Sequence, residues 1–291
     1  SFDGAINQLD KDLERHIKEY LAVRCGMQEI FSYPWMEESY VNAILQSTDG
    51  ILALSTPPSP SERFIRSSLL PNLCKAVAKN ERYYGDFAIF ETAQVFHDTD
   101  YTTPYDPREK LPSQRKNVAG AFVSAGKDVA ALFRKAKGVV EMMPRYTHME
   151  RYDFRQVEKP VWADEVVWLN IYLGEERIGD LALLSKRVSM ACGIKNVNVM
   201  LFQLDQDALV PLRSRTNTFT HLAEYPMTDY DISLLLDGEV KWADVAETIE
   251  GVKNPLLHGA SFVDEYRGKQ VPAGKKSLTA RLTIGSTEKT L

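Results

Sequence analysis

The chain has 291 residues, 44% hydrophobic and 26% charged, with a formal net charge of −5. That length allows two domains, and no run of about 18 apolar residues exists to span a membrane. The acidic balance excludes bulk electrostatic binding of nucleic acid and leaves room only for a local basic patch. Cys25, Cys74 and Cys192 are isolated singletons with no CxxC pair, which argues against zinc and fits a reducing compartment. The opening SFDGAINQLDKDLE lacks a basic region followed by an apolar core, so no signal peptide is read and a cytoplasmic location is expected.

Leu9, Leu13, Ile17 and Leu21 recur every fourth residue and predict a first helix over 9–25, ended by Gly26. EIFSYPW reads as a short strand stopped by Pro34, and a short helix is expected near 37–46. The prolines of STPPSPSE, 55–62, make that stretch a surface loop. The next helix carries Leu69, Leu73 and Val77. Pro71 places its start near Leu70, with Ser67 or Ser68 at the cap. FAIFETAQVF, 87–96, alternates as a strand with Phe87, Ile89, Glu91 and Ala93 on one face. Residues 98–115 read as an exposed excursion before the strand 117–125. Asp128 caps a helix striped by Val129, Leu132, Phe133, Ala136, Val139, Val140 and Met143. Two strands follow around Gly174, then a short helix or turn to Cys192 and a strand over 196–205.

Residues 206–224 carry no apolar period and read as linker. The divisions expected are 1–210, a linker over 211–224, and a second domain over 225–291. From Tyr230 the order is strand, helix, strand, strand, part of a split βαβ unit. A further helix and strand are expected to complete it, or a partner to cover the sheet face left bare. The class is α+β, antiparallel sheets backed by helices.

Phosphate loops, HExxH and GxSxG are absent from the sequence, and no two histidines lie one turn apart. No catalytic residue and no metal ligand is therefore expected in this chain. His97 next to Asp98 is no dyad, because adjacent side chains on a strand point apart. Glu91 lies on the inward face of its strand, where a carboxylate requires a partner. Arg66 or Arg63 is in reach, either as a structural ion pair or as the remnant of a substrate-binding position. Residues 216–291 hold eleven acids and eight bases, yet Arg267, Lys269, Lys275, Lys276 and Arg281 cluster with no acid among them. They form either a solvated connection or an edge that contacts nucleic-acid phosphates without reading bases. Tyr266 beside them reads as sheet packing.

Several stretches together resemble one family. RSSLLPNLCKAVAKN follows a RtSLLPgLL…N pattern through Arg66, Ser68, Leu69, Leu70, Pro71, Leu73 and Asn80. FAIFETAQVF follows lFEiGrvF through Phe90, Glu91 and Phe96. DVAALFRKAKGVVEMM follows DFFdlKGxvE through Asp128, Lys137, Gly138 and Glu141. DEYRGKQVPAGKKSLTARL is similar to the signature of a ferredoxin-fold anticodon-binding domain through Tyr266, Gly268, Gly274, Lys275, Lys276 and Ser277. VRCGMQEIFSYPW and ERIGDLALLS fit the same order. The chain thus resembles the C-terminal part of the β subunits of bacterial-type phenylalanine–tRNA ligases.

The resemblance implies a class II synthetase-like sheet module that is itself inactive, followed by an incomplete ferredoxin-like domain. It implies an α subunit as partner, a second β subunit in an (αβ)₂ assembly, and tRNA(Phe) as the RNA. ATP and Mg²⁺ belong to the holoenzyme and not to this chain. Glu91 becomes a leftover of the substrate strand, with Ile89 where active relatives of the fold carry Arg. The xRRDl pattern of the last domain appears with Asp229 and Tyr230 in place of the two arginines, and Asp231 is retained. The alternatives are a divergent class II-like paralogue binding a small molecule, or a structural oligomerisation module.

Overall fold

A computed structural model describes residues 8–102, 108, 110–211 and 225–286. The chain divides into two compact units, Ser1–Thr216 and Asn217–Leu291.

The first unit begins with α1 (Leu9–Glu19), which continues as a π-helical turn over Tyr20–Arg24. Gly26 leaves it with φ +67°, a conformation that favours glycine. β1 (Gln28–Glu29), β2 (Trp35–Met36), α2 (Glu38–Ile44) and β3 (Phe64–Ile65) follow, then α3 (Leu70–Asn80). β4 (Asp86–Thr102) and β5 (Leu111–Ser124) form a long hairpin. α4 (Val129–Thr147), β6 (Asp153–Arg155), β7 (Ala163–Leu173) and β8 (Glu176–Leu184) come next, then α5 (Lys186–Ala191), β9 (Asn198–Asp205) and α6 (Gln206–Leu209).

The main sheet runs β1-β4-β5-β9-β8-β7-β6. Every pairing is antiparallel except β1 with β4. Strand alternation sends Phe90, Val118, Phe122 and Phe202 to one face, where they pack with Leu13 and Ile17 of α1, Val140 of α4 and Leu209 of α6. Gly120 lies on this face because an added Cβ would stand 2.4 Å from the Phe202 ring. Ile89, Ala119, Ala121, Val199 and Leu201 point the other way, into Leu69, Leu73 and Val77 of α3, Ile44 of α2 and Val188 of α5. The sheet is therefore buried between two helical layers.

Three expectations need correction in this unit, and one strand, β6, has no sign in the sequence. The strand expected over 29–35 shrinks to Gln28–Glu29, because the Ser32 N–H bonds to the Glu91 carboxylate at 2.9 Å instead of a neighbouring strand. Part of the excursion expected over 98–115 is strand: β4 runs to Thr102, β5 starts at Leu111, and these two residues pair after a register shift, while 103–107 and 109 lie outside the described residues. The linker expected from 206 starts with α6, whose Asp205 cap accepts from the Ala208 N–H at 3.1 Å and whose Leu209 is fully buried. Most of the linker, 212–224, lies outside the described residues. β6 was not read from the sequence because three residues give no period.

In the second unit β10 (Thr228–Asp237), α7 (Trp242–Glu250), β11 (Leu257–Tyr266) and β12 (Lys275–Ile284) build an antiparallel sheet ordered β10-β12-β11. Val245 of α7 packs on Leu278 and Ala280, with Ile232, Leu234 and Leu236 beside them. Trp242 meets Phe262 edge-on at 5.8 Å. Asp244 caps α7 by accepting from the Lys241 N–H at 2.8 Å. The opposite face is mostly polar, with Leu235 56% exposed within it. It is a polar ladder in which Asp229, Asp231, Ser233 and Asp237 stand across from Thr283, Arg281, Thr279 and Lys275.

Candidate functional site: a buried carboxylate and a basic hairpin

Glu91 projects from β4 with 1% of its surface exposed. Three elements converge on it. The segment after β1 brings Ser32, which donates its N–H at 2.9 Å and its hydroxyl at 2.8 Å. The chain after β3 brings Arg66, whose Nη1 lies 3.1 Å from Oε1 in a pair that is buried on both sides. Arg66 Nε donates to the Gln94 carbonyl at 2.6 Å, and its backbone joins Pro34 to Phe96. Burial pulls Arg66 below its ordinary pKa while Glu91 opposes that shift. From α3, Asn72 Nδ2 donates to the Ser32 hydroxyl and to the Tyr33 carbonyl at 3.1 and 3.0 Å. Arg63, the other cation considered, pairs with Glu38 at 3.0 Å.

This arrangement clamps three chain segments to the sheet. Ile89, two residues back on the same face, is buried against α3. Ile89 presents no donor to a phosphate, and among the described residues no cluster of His, Cys, Asp or Glu could hold a metal ion. Nearby, a groove of about 290 Å³ runs between α3 and the segment 30–35, walled by Phe31, Tyr33, Trp35, Asn72, Lys75 and Lys79. Tyr33 and Trp35 stack in parallel at 4.5 Å. His97 sits within β4, where burial, reinforced by Arg115, holds its pKa below the ordinary value against the pull of Asp205.

The five clustered basic residues of 267–281 are not a free cluster. Arg281 makes a bidentate pair with Asp231 at 2.7 and 2.9 Å. Lys275 pairs with Asp237 at 2.8 Å, and Arg267 with Glu265 at 2.8 Å. Lys276 points to the α7 face, beside Leu278, and reaches Glu265 at 2.8 Å with 6% of its side chain exposed. Its side chain is thus the least exposed of the five phosphate-contact candidates. Lys269 is exposed and has no ion pair among the described residues. Tyr266 is exposed on the ladder face rather than packed within the sheet.

Residues 4–206 match the family described as phenylalanyl tRNA synthetase beta chain CLM domain, and residues 223–291 match the ferredoxin-fold anticodon binding domain. The chain belongs to the phenylalanyl-tRNA synthetase β-chain family. It is 28% identical over 96% of its length to the phenylalanine–tRNA ligase β subunit of Carboxydothermus hydrogenoformans, and 27% identical to that of Bacillus subtilis over 95%. It spans about a third of the length of these relatives, 35% and 34%. A pyrrolysyl-tRNA synthetase from Desulfitobacterium hafniense superposes with a TM-score of 0.55 at 12% identity, covering 70% of this chain and 68% of that one. The first unit thus has the class II synthetase-like antiparallel sheet with flanking helices, and the second belongs to the ferredoxin-like fold.

Proposed function

We propose that this chain is a non-catalytic portion of a phenylalanine–tRNA ligase β subunit, supporting the ATP-dependent charging of tRNA(Phe). The observation that carries the reading is the succession of the two family modules along one chain. In this reading the first unit packs against an α subunit that performs amino-acid activation, within an (αβ)₂ assembly in the cytoplasm, and the second unit contacts tRNA. Inactivity of the chain itself is supported by the helices α2, α3 and α5, whose apolar side chains fill the sheet face bearing Glu91. ATP and Mg²⁺ then act in the holoenzyme away from this chain. Co-expression with an α subunit tests the reading. Stable co-elution and a gain of phenylalanine charging are expected, and an α subunit that neither binds nor is activated overturns it.

A further inference from the structure

The polar face of the second unit carries cations that are already occupied. On β12, Arg281 and Lys275 stand directly across from Asp231 and Asp237 of β10. The Arg281–Asp231 contact is a two-point fork, 2.7 Å from Nε and 2.9 Å from Nη2. Lys275 Nζ lies 2.8 Å from Asp237 Oδ1. A carboxylate and a phosphate offer the same paired oxygens to a guanidinium, so either satisfies this fork. The side chains of both pairs are solvent-accessible, 45% and 43% for Arg281 and Asp231, 42% and 74% for Lys275 and Asp237. Exposed pairs of this kind hold weakly and can open.

We infer that Asp231 and Asp237 are built-in competitors of RNA phosphate on the ladder face. Backbone contact through Arg281 and Lys275 proceeds by exchange of a carboxylate for a phosphate. This rests on the reading that the second unit contacts tRNA. This face carries the two exposed cations Arg281 and Lys275, with Asp229 as a further acid beside Arg281. The other face carries α7 and its apolar contacts, with Phe262 48% exposed beside Trp242 and Lys276 held by Glu265. The exchange makes two demands that a free cation does not. It must break an existing pair, and it leaves a bare carboxylate beside an incoming phosphate. Both lower affinity. The freed carboxylates also recruit cations from solution, which offsets counterions released from the RNA and flattens the salt dependence. The two acids therefore set how strongly this unit holds RNA.

The experiment titrates a labelled tRNA(Phe) transcript with the 291-residue chain by fluorescence anisotropy at several NaCl concentrations. The variant Asp231→Asn with Asp237→Asn is compared with the parent. A charge-matched control carries Glu247→Gln and Glu250→Gln on the exposed side of α7. The ladder variant is expected to bind about tenfold tighter at low salt, with a log–log salt slope steeper by up to about 2. The control stays near the parent. Adding Lys275→Gln and Arg281→Gln to the ladder variant abolishes the gain. Equal tightening in ladder variant and control, or no tightening in a ladder variant that circular dichroism shows to be folded, overturns the inference. If parent and both variants bind tRNA equally, the RNA reading stands and the exchange fails. If none of the proteins binds tRNA at low salt, the RNA reading falls with it.

Discussion

Glu91 is the residue whose environment is most fully determined. Its carboxylate accepts from Ser32 and Arg66 in a space closed to water. Replacing it by Gln leaves the Arg66 guanidinium buried without its counter-charge, a loss of about 3–5 kcal/mol. Urea unfolding of Glu91→Gln measures this, and a change under about 0.5 kcal/mol refutes a structural role of that size. His97 gives a second expectation, in pH. Its folded pKa is held below the ordinary value, so the unfolded chain binds a proton that the folded chain does not. Stability is then complete above the ordinary imidazole pKa of about 6.5 and declines as pH falls below it. His97→Gln should flatten the dependence of the urea midpoint between pH 7.5 and pH 5. Identical pH dependence in both proteins rules this out. The inward carboxylate was legible because alternation along β4 fixed its face. The partners of the basic residues were not. Asp231 lies fifty positions from Arg281, and a pairing set by strand register leaves no local trace.

At the scale of elements, the long helices α1, α3 and α4 are legible because each carries its own period and its own punctuation, whereas four-residue α6 carries none. Pro71 opens α3, Asp128 caps α4 with an accepted bond of 2.8 Å from Ala131, and Gly26 closes the first helical segment. β1 was misjudged for the opposite reason: the hydrogen bond that ends it comes from a side chain on another strand. The outer face of α3 also separates two lysines that look alike in sequence. Lys75 is held by Glu37 at 3.1 Å and Glu62 at 2.7 Å, so reversing its charge disturbs α2 and the loop before β3. Lys79 is exposed at the groove and is the cleaner probe of a partner surface. If α3 faces an α subunit, Lys79→Glu weakens co-elution while leaving the melting temperature of the isolated chain unchanged, and an unaffected complex removes this face from the interface. On β12, Lys276 is part of the core facing α7. Lys276→Ala should cost about 1–2 kcal/mol, less than a fully buried pair because Glu265 is a third exposed. Loss of tRNA affinity without loss of stability in this variant would place Lys276 on the RNA surface.

At the scale of the whole molecule, the first unit has a synthetase-like sheet packed by helices on both faces, with an apolar groove of about 400 Å³ between the start of α4 and β7. One face is packed by α1, α4 and α6, the other by α2, α3 and α5. Catalysis on such a sheet requires an open face with cations placed for phosphate. Here the position in line with Glu91 is Ile89, 5% exposed and enclosed by Leu69, Leu73 and neighbouring apolar groups. The isolated chain is therefore expected to give no phenylalanine-dependent pyrophosphate exchange above a no-enzyme control. The stricter test supplies the missing cation. Ile89→Arg places a guanidinium among apolar side chains, where Glu91 is already engaged by Arg66 and Ser32. An unpaired buried charge costs several kcal/mol. Ile89→Arg should thus lower the urea midpoint sharply and confer no exchange activity. A folded Ile89→Arg protein that bound ATP would show that this face can open and that the packing of α3 against the sheet is not what silences it.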